Sequence, residues 1–225
     1  MKLKIISTGS KGNCYILTDS NDQQLMIDCG IPIKEIKRGL DYNLMNMQGV
    51  LISHEHKDHS LSASECIMCG FPVYMPYDND GQDRISHFGD YVIQNFKVPH
   101  NDTECHGFYI KHRVDNQRIL YLTDLSKCPY SFKSCKVHHI MIECNYQKKY
   151  IDTDAANFQH KCKGHMSLSE CIKTLKINQT GQLKTVVLIH GGQGLNPNEA
   201  IDKVQKTVGD KVKVIYAEKG MEIDL

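Results

Sequence analysis

Nine consecutive residues, "ISHEHKDHS" at positions 52–60, restrict what this chain can fold into more than any other stretch. His54, His56, Asp58 and His59 lie directly behind the apolar run "VLI". On extended backbone, residues two apart project to the same side, so His54 and His56 can share one cation. Asp58 and His59 follow a predicted turn and face a second cation nearby. Imidazole and carboxylate donors suit zinc, with manganese or iron as alternatives. Four donors do not fill two coordination shells, so the fold must bring further donors from distant parts of the chain.

Such donors stand immediately behind other apolar runs. His100 follows "FKVP", Asp124 follows "LYLT", His190 follows "VVLI", Asp28 follows "LMI" and Glu143 follows "IMI". Strand ends are rigid, and several can converge on one edge of a packed pair of sheets. In this reading His100 completes the first site, His190 completes the second and Asp124 bridges them, with two cations about 3.5–4 Å apart. Each residue taken alone has a plainer reading. A lone histidine behind a strand is usually hydrogen-bonded, and Asp28 and Asp124 suit turns. The H-x-H-x-D-H cluster lends weight to the rest.

The remaining patterning supports convergence of this kind. "LKIIST", "NCYILTD" and "QQLMIDCG" read as strands separated by Gly-, Asn- and Ser-rich turns. "IKEIKRGL" reads as a short helix, "GVLIS" as the strand that delivers the histidine cluster, "LSASECIMCG" as a helix and "FPVYMP" as a strand. A second block then follows: strands at "YVIQNFKVPH", "HGFYIKH", "RILYLTD", "HHIMIEC" and "TVVLIHGG", with helices at "MSLSECIKTLKI" and "NPNEAIDKVQKTV". The closing "VKVIYAEKGMEIDL" reads as a hairpin-like pair. Strands and helices mix without strict βαβ alternation. The expected class is therefore α/β (α+β): two mixed sheets packed together with helices outside, as one domain over residues 1–225.

Composition narrows the function classes. Hydrophobic residues at 40% and charged residues at 24% are those of a globular protein, and a net charge of +1 gives no global attraction to nucleic acid or anionic lipid. Attraction to a polyanion has to be local. The one local basic candidate in the linear sequence is residues 148–163, which reads more simply as a solvated loop. No apolar run reaches a signal-peptide core or a membrane span, so a cytoplasmic protein with no membrane partner is expected. Ten scattered cysteines read as reduced, mostly buried thiols. "CIMC" at Cys66 and Cys69 lacks the second ligand pair of a structural zinc site.

At this point a resemblance is visible. "MIDCG", "HEHKDH", "VPH", "YLTD" and "LIH", in that order over nearly the whole chain, resemble the metallo-β-lactamase fold superfamily. The resemblance implies a four-layer αββα sandwich with metals at one edge of the sheets. It implies that His54, His56 and His100 bind one metal, that Asp58, His59 and His190 bind the other, that Asp124 bridges, and that Asp28 orients a ligand histidine. More narrowly, "TGSKGNCYIL", "IECNY", "GHMS" and "LIHGGQGLNPNEA" resemble the WalJ/YycJ-like branch and, more distantly, tRNase Z. That branch usually has Leu-Ser after the last histidine where this chain has Gly191 and Gly192, and Pro where His106 stands.

The tRNase Z-like resemblance also assigns chemistry. His165, in "KCKGHMS", would protonate a leaving alkoxide, with Glu143 holding it as an imidazolium. The plain alternative is a helix-capping or solvated His165. The proposed catalytic set is Asp58, as ligand and base, with His165 and Glu143. Two zinc ions, or manganese, would generate hydroxide for in-line attack on phosphorus. "GSKGN", with Ser10 and Asn13, and "GGQGLNP", opening with Gly191 and Gly192, are candidate substrate-binding loops or simply turns.

The expected function is a metal-dependent phosphodiesterase acting on nucleic acid or on a small cyclic nucleotide. Compact phage members of the anti-Pycsar type resemble the second alternative. A thioester or lactam hydrolase of the glyoxalase II-like type is the competing enzyme class, and a non-catalytic scaffold the third. A homodimer is expected by resemblance alone.

Overall fold

The computed structural model describes residues 1–78, 84–101, 103–151 and 162–225. In the first block, β1 (Lys2–Ser7), β2 (Cys14–Thr18) and β3 (Gln24–Ile27) form an antiparallel meander. Then come α1 (Ile33–Gly39), β4 (Met47–Leu51), two short helices α2 (Lys57–Ser60) and α3 (Ala63–Met68), and β5 (Val73–Tyr74). Strands β4 and β5 extend the sheet in parallel from β3.

The second block begins with β6 (Ile85–Phe88), β7 (Tyr91–Val98), β8 (Cys105–His112) and β9 (Arg118–Leu122), all antiparallel neighbours. It continues through β10 (His139–Glu143), α4 (Leu168–Asn178), β11 (Thr185–Ile189), α5 (Pro197–Val208) and β12 (Lys213–Tyr216), whose strands add in parallel. The last strand, β13 (Glu222–Asp224), returns to pair with β1. Two sheets result, ordered β13-β1-β2-β3-β4-β5 and β12-β11-β10-β9-β8-β7-β6.

The burial patterns follow from this layering. "HIMIE" and "TVVLI" are buried at every position because both faces of β10 and β11 are covered. One apolar cluster joins Leu3, Ile5, Tyr15 and Leu25 of the first sheet to Phe108, Tyr121, Met141 and Val187 of the second, and so lies between the sheets. A second seals α4 and α5 against the outer face of the second sheet through Leu175, Val204 and Leu188. A third packs Ile36 and Cys66 against Met26 and Val50 of the first sheet. Helices α4 and α5 start where their sequences signal: Ser167 and Asn196 accept from the N–H groups of Glu170 and Glu199, and Pro197 opens α5.

The expected four layers are present, with three local differences. The closing residues do not form a hairpin, because β12 and β13 belong to opposite sheets. Strand β6 has too few apolar residues to announce itself, and it lies at a sheet edge, where Ile85 and His87 are exposed. Asp58 and His59 sit in one helical turn, α2, where the sequence suggests a turn. All ten cysteines are free, and Cys14, Cys29, Cys66, Cys105, Cys144 and Cys171 are buried. Among the described residues, no helix is long and apolar enough to cross a membrane. Most of the basic segment 148–163 lies outside the described residues.

Candidate metal centre

The donors converge because the strands stop abruptly at a shared edge. Asp28 follows β3, Asp124 lies just beyond β9 and His190 follows β11, and these three have φ of 57°, 47° and 52°. That is the left-handed region, which costs an ordinary residue about 1 kcal/mol or more. The twist ends each strand and turns the side chain toward the other sheet's edge. Loops from both sheets thereby meet over the top of the central core.

Three groups of possible metal donors lie at this corner: His54, His56 and His100; Asp58, His59, Asp124 and His190; and Asp124, Glu143, His165 and His190. In the first, His54 Nε2 and His56 Nδ1 are 3.0 Å apart, and His100 Nε2 is 3.2 Å from the same His56 nitrogen. The outward nitrogens are already engaged. His100 Nδ1 donates to the Gly164 carbonyl at 2.7 Å, His56 Nε2 meets Thr103 Oγ1 at 3.1 Å and His54 Nδ1 meets Ser53 Oγ at 3.0 Å. Burial, reinforced by neighbouring histidines, holds His54 well below the ordinary imidazole range, and burial also lowers His100. Neutral imidazoles with their lone pairs aimed at one point repel each other unless a cation lies between them.

The second group is rich in carboxylate. Asp124 Oδ1 lies 3.3 Å from His59 Nε2 and 3.2 Å from His190 Nδ1, while its Oδ2 lies 3.8 Å from His54 Nε2. One carboxylate thus reaches toward both donor sets. Asp58 Oδ2 stands 3.5 Å from both His59 Nε2 and His190 Nε2. Burial favours a protonated Asp124, but the His190 and His59 charges outweigh it and hold the carboxyl well below its usual range. His190 is pushed the other way: burial opposes its charge, yet Asp124, Asp58 and Glu143 raise it to about 10.

The donor chemistry fits a metal pair. Protons hold the carboxylate-rich group together, and a divalent cation binding there releases them. Among the described residues, His190 Nε2 has no partner in hydrogen-bond geometry, its nearest acceptor being Asp58 Oδ2 at 3.5 Å, and ligation would satisfy this buried atom better. All-nitrogen and nitrogen–carboxylate sets suit zinc better than a hard, all-oxygen ion.

Supporting contacts surround the donors. Asp28 Oδ2 lies 2.7 Å from His59 Nδ1 and accepts from Ser53 Oγ and Tyr121 Oη, while Oδ1 accepts from the Ser53 N–H. Glu143 Oε1 lies 2.8 Å from His165 Nδ1 and 3.0 Å from His190 Nδ1, and Oε2 accepts from the Leu125 and Met166 N–H groups. Burial works against a charge on His165, but Glu143 and Asp124 outweigh it and raise its pKa. His165 precedes α4, and its side chain is 21% exposed at the rim of the corner.

Two sequence-predicted loops end up in different roles around this corner. Asn13 is wholly buried: its Nδ2 donates to the Asp58 carbonyl and lies 3.0 Å from His59 Nε2, so it braces α2 from below. Ser10 is exposed at the tip of the same loop. Gly191 and Gly192 line the turn after His190, and a Cβ on Gly191 would lie 2.0 Å from Tyr216 Oη. A side chain at position 191 would therefore require the Tyr216 ring to move. Gly30, which the sequence reading passed over, lets α2 approach so closely that a Cβ there would lie 1.7 Å from the Asp58 carbonyl oxygen. The contacts of Ser53, Tyr121 and Thr103 carry no sequence signal, since ordinary strand and loop residues make them.

Two sheets sandwiched between helices, with histidines and aspartates gathered at one edge, define the metallo-β-lactamase fold. Solved structures of that fold superpose over the whole chain. The metallo-β-lactamase fold protein YhfI from Bacillus subtilis gives a TM-score of 0.74 at 18% identity, over 99% of this chain and 98% of that one. The short form of human tRNase Z (ELAC1) gives 0.63 at 14% identity, over 100% and 99%.

In sequence, the family model described as "Anti-Pycsar protein Apyc1" matches residues 6–70. The protein named exodeoxyribonuclease YycJ from Bacillus anthracis is 24% identical over 148 residues, 55% of this chain and 54% of that protein. The anti-Pycsar protein Apyc1 of Bacillus phage vB_BveM-Goe7 is 34% identical over 64 residues, 26% of this chain and 25% of that protein. The aligned stretches therefore span about half of the first relative and a quarter of the second.

Proposed function

We propose that this chain is a metal-dependent phosphodiesterase acting on nucleotide phosphodiesters. The reading rests on one observation above all: His165, raised toward its protonated form by Glu143, sits at the rim of two converging donor sets. Bound to those sets, two zinc ions, or manganese, supply Lewis acidity and an activated water at neutral pH.

The chain's own residues supply the rest. His54, His56 and His100 hold one cation, Asp58, His59 and His190 the other, and Asp124 spans both. The Asp58 side chain is 26% exposed, the most open carboxylate of the set, and accepts the proton from the attacking water. His165 Nδ1 is committed to Glu143, so Nε2 is the atom that donates a proton to the departing sugar oxygen. Proton donation to an alkoxide is worth about 10²–10⁴-fold. A thiolate leaving group needs little of it, which disfavours thioester hydrolysis.

A nucleic-acid strand is the first substrate reading, supported by the aligned relative named as an exodeoxyribonuclease. A cyclic nucleotide is the second, supported by the anti-Pycsar match over residues 6–70, which include the whole H-x-H-x-D-H cluster. The test offers the zinc- or manganese-loaded protein bis-p-nitrophenyl phosphate, cyclic mononucleotides, linear oligonucleotides and a thioester. The Asp58→Ala/His59→Ala double variant serves as control. Phosphodiester turnover absent from the control supports the assignment. Thioester turnover without any phosphodiester turnover rejects it.

A further inference from the structure

A row of basic residues lies at the opposite end of the second sheet from the metal centre. Lys111 pairs with Arg118 across β8 and β9. The Arg118 carbonyl accepts from the His138 N–H at 2.9 Å, and the His138 carbonyl accepts from the Lys184 N–H at 2.8 Å. β8 and β9, and the residues that lead directly into β10 and β11, thus each bring one basic residue to the same level. The four side chains also share a face: Tyr109, Leu120, Ile140 and Val186, two residues further along their strands, all pack against the outer cluster beneath α4 and α5. Strand spacing places the row's members about 4.8 Å apart over about 14 Å.

Two further lysines flank the row. Arg118 donates to the carbonyl of exposed Lys136 at 3.3 Å, and exposed Lys213 donates its N–H to the Lys184 carbonyl at 2.8 Å. Lys111 and Lys184 are exposed, and Arg118 and His138 half-buried. None of these side chains forms an ion pair with a described residue, whereas lysines elsewhere, such as Lys149, Lys203 and Lys206, are paired. Burial lowers His138, and the Lys184 and Arg118 charges lower it further, as expected where cations crowd without a counterion.

We propose that Lys111, Arg118, His138 and Lys184 form a binding site for the phosphate backbone of a nucleic-acid strand, separate from the metal centre. A straight row of three cations, Lys111, Arg118 and Lys184, with the His138 imidazole between the last two, matches a linear polyanion. At a helical rise of about 3.4 Å per nucleotide it covers about four phosphates. Glu143 lies about 17 Å beyond His138, and α4 and α5 cover the sheet between them, so a strand reaching the donor cluster passes outside these helices and needs more than about five further nucleotides. The choice of nucleic acid over other polyanions rests on the phosphodiesterase reading, and the site makes a strand the favoured substrate.

The experiment measures binding of a fluorescein-labelled, phosphorothioate-linked DNA 12-mer to the metal-loaded protein by anisotropy, from 50 to 200 mM salt. In parallel it follows bis-p-nitrophenyl phosphate turnover, which needs only the metal centre. Wild type should bind with a log–log salt slope of about −2 to −3, set by three or four phosphates at about 0.7 each. Lys111→Glu/Arg118→Glu/Lys184→Glu should bind at least tenfold more weakly, with turnover of the small ester unchanged within twofold. Equal binding by the variant, or binding of phosphatidylserine vesicles but not of the 12-mer, overturns the site. If the triple variant loses small-ester turnover as well, Lys111→Ala and Lys184→Ala decide: each lowers the slope by about 0.7, or the site is rejected. Absence of small-ester turnover in wild type rejects the phosphodiesterase assignment and leaves the binding arm readable.

Discussion

Asp28 Oδ2 and His59 Nδ1 stand 2.7 Å apart with neither side chain exposed to solvent. The carboxylate fixes which imidazole nitrogen carries the proton and therefore which one is free to bind a cation. Asp28→Asn keeps the shape but brings an amide N–H against donors. Zinc affinity at the Asp58–His59–His190 group should fall about 10–100-fold. Zinc release titrated against a chromogenic chelator measures it, and an unchanged affinity would refute the orienting role.

His165→Ala should discriminate between leaving groups. Release of an alkoxide from a nucleotide substrate should slow by about 10²–10⁴-fold, while a p-nitrophenyl ester, which leaves without a proton, should lose less than about tenfold. Equal losses on both substrates would make His165 a structural residue.

Gly30→Ala drives a Cβ into the backbone of Asp58, which no side-chain movement relieves. Helix α2 must shift, and with it Asp58 and His59. The purified variant should retain about half the metal of wild type or less, because Asp58 and His59 lie within α2 while His54 and His56 directly precede it and only His100 comes from a separate segment. Elemental analysis reads this directly, and full occupancy would show that α2 has slack.

His139 gives a pH dependence distant from the metal centre. It is buried at the start of β10, with Nδ1 unpartnered and Nε2 3.0 Å from Gln117 Oε1. Burial, then the charges of Lys184 and His138, push it down to about 3. In the unfolded chain it titrates near the ordinary value of about 6.5. Between those values the unfolded state binds the extra proton, so this contribution to stability is present above about pH 6.5 and lost as the pH falls toward 3. At pH 5 the loss is about 2 kcal/mol. Urea midpoints at pH 7.5 and pH 5 should differ by less for His139→Gln than for wild type.

Much of the corner was legible because its chemistry sits at strand ends. The runs before Asp28, His54, His100, Asp124 and His190 are apolar and short, and a residue behind such a run has few places to go. Glu143 and His165 needed the family resemblance, since nothing local ties a strand-end carboxylate to a loop histidine 22 positions later. Asn13 reads as a turn residue, and only its burial reveals a brace. The separation of β12 from β13 was hidden because two apolar runs joined by "EKG" look like a hairpin, whereas the free edge beside β1 claims the second run. The basic row was invisible for the same reason: Lys111, Arg118, His138 and Lys184 are neighbours only through strand register.

The left-handed backbone at Asp28, Asp124 and His190 sets local relief against charge balance. Glycine would rest comfortably at any of the three and would also remove a buried ionisable group. In chelator-treated protein, Asp124→Gly should exchange about 1 kcal/mol of backbone relief for the larger loss of the carboxylate that balances His59 and His190, so the thermal midpoint should fall. Charge matching between these carboxylates and imidazoles, rather than a relaxed backbone, is what holds the corner together.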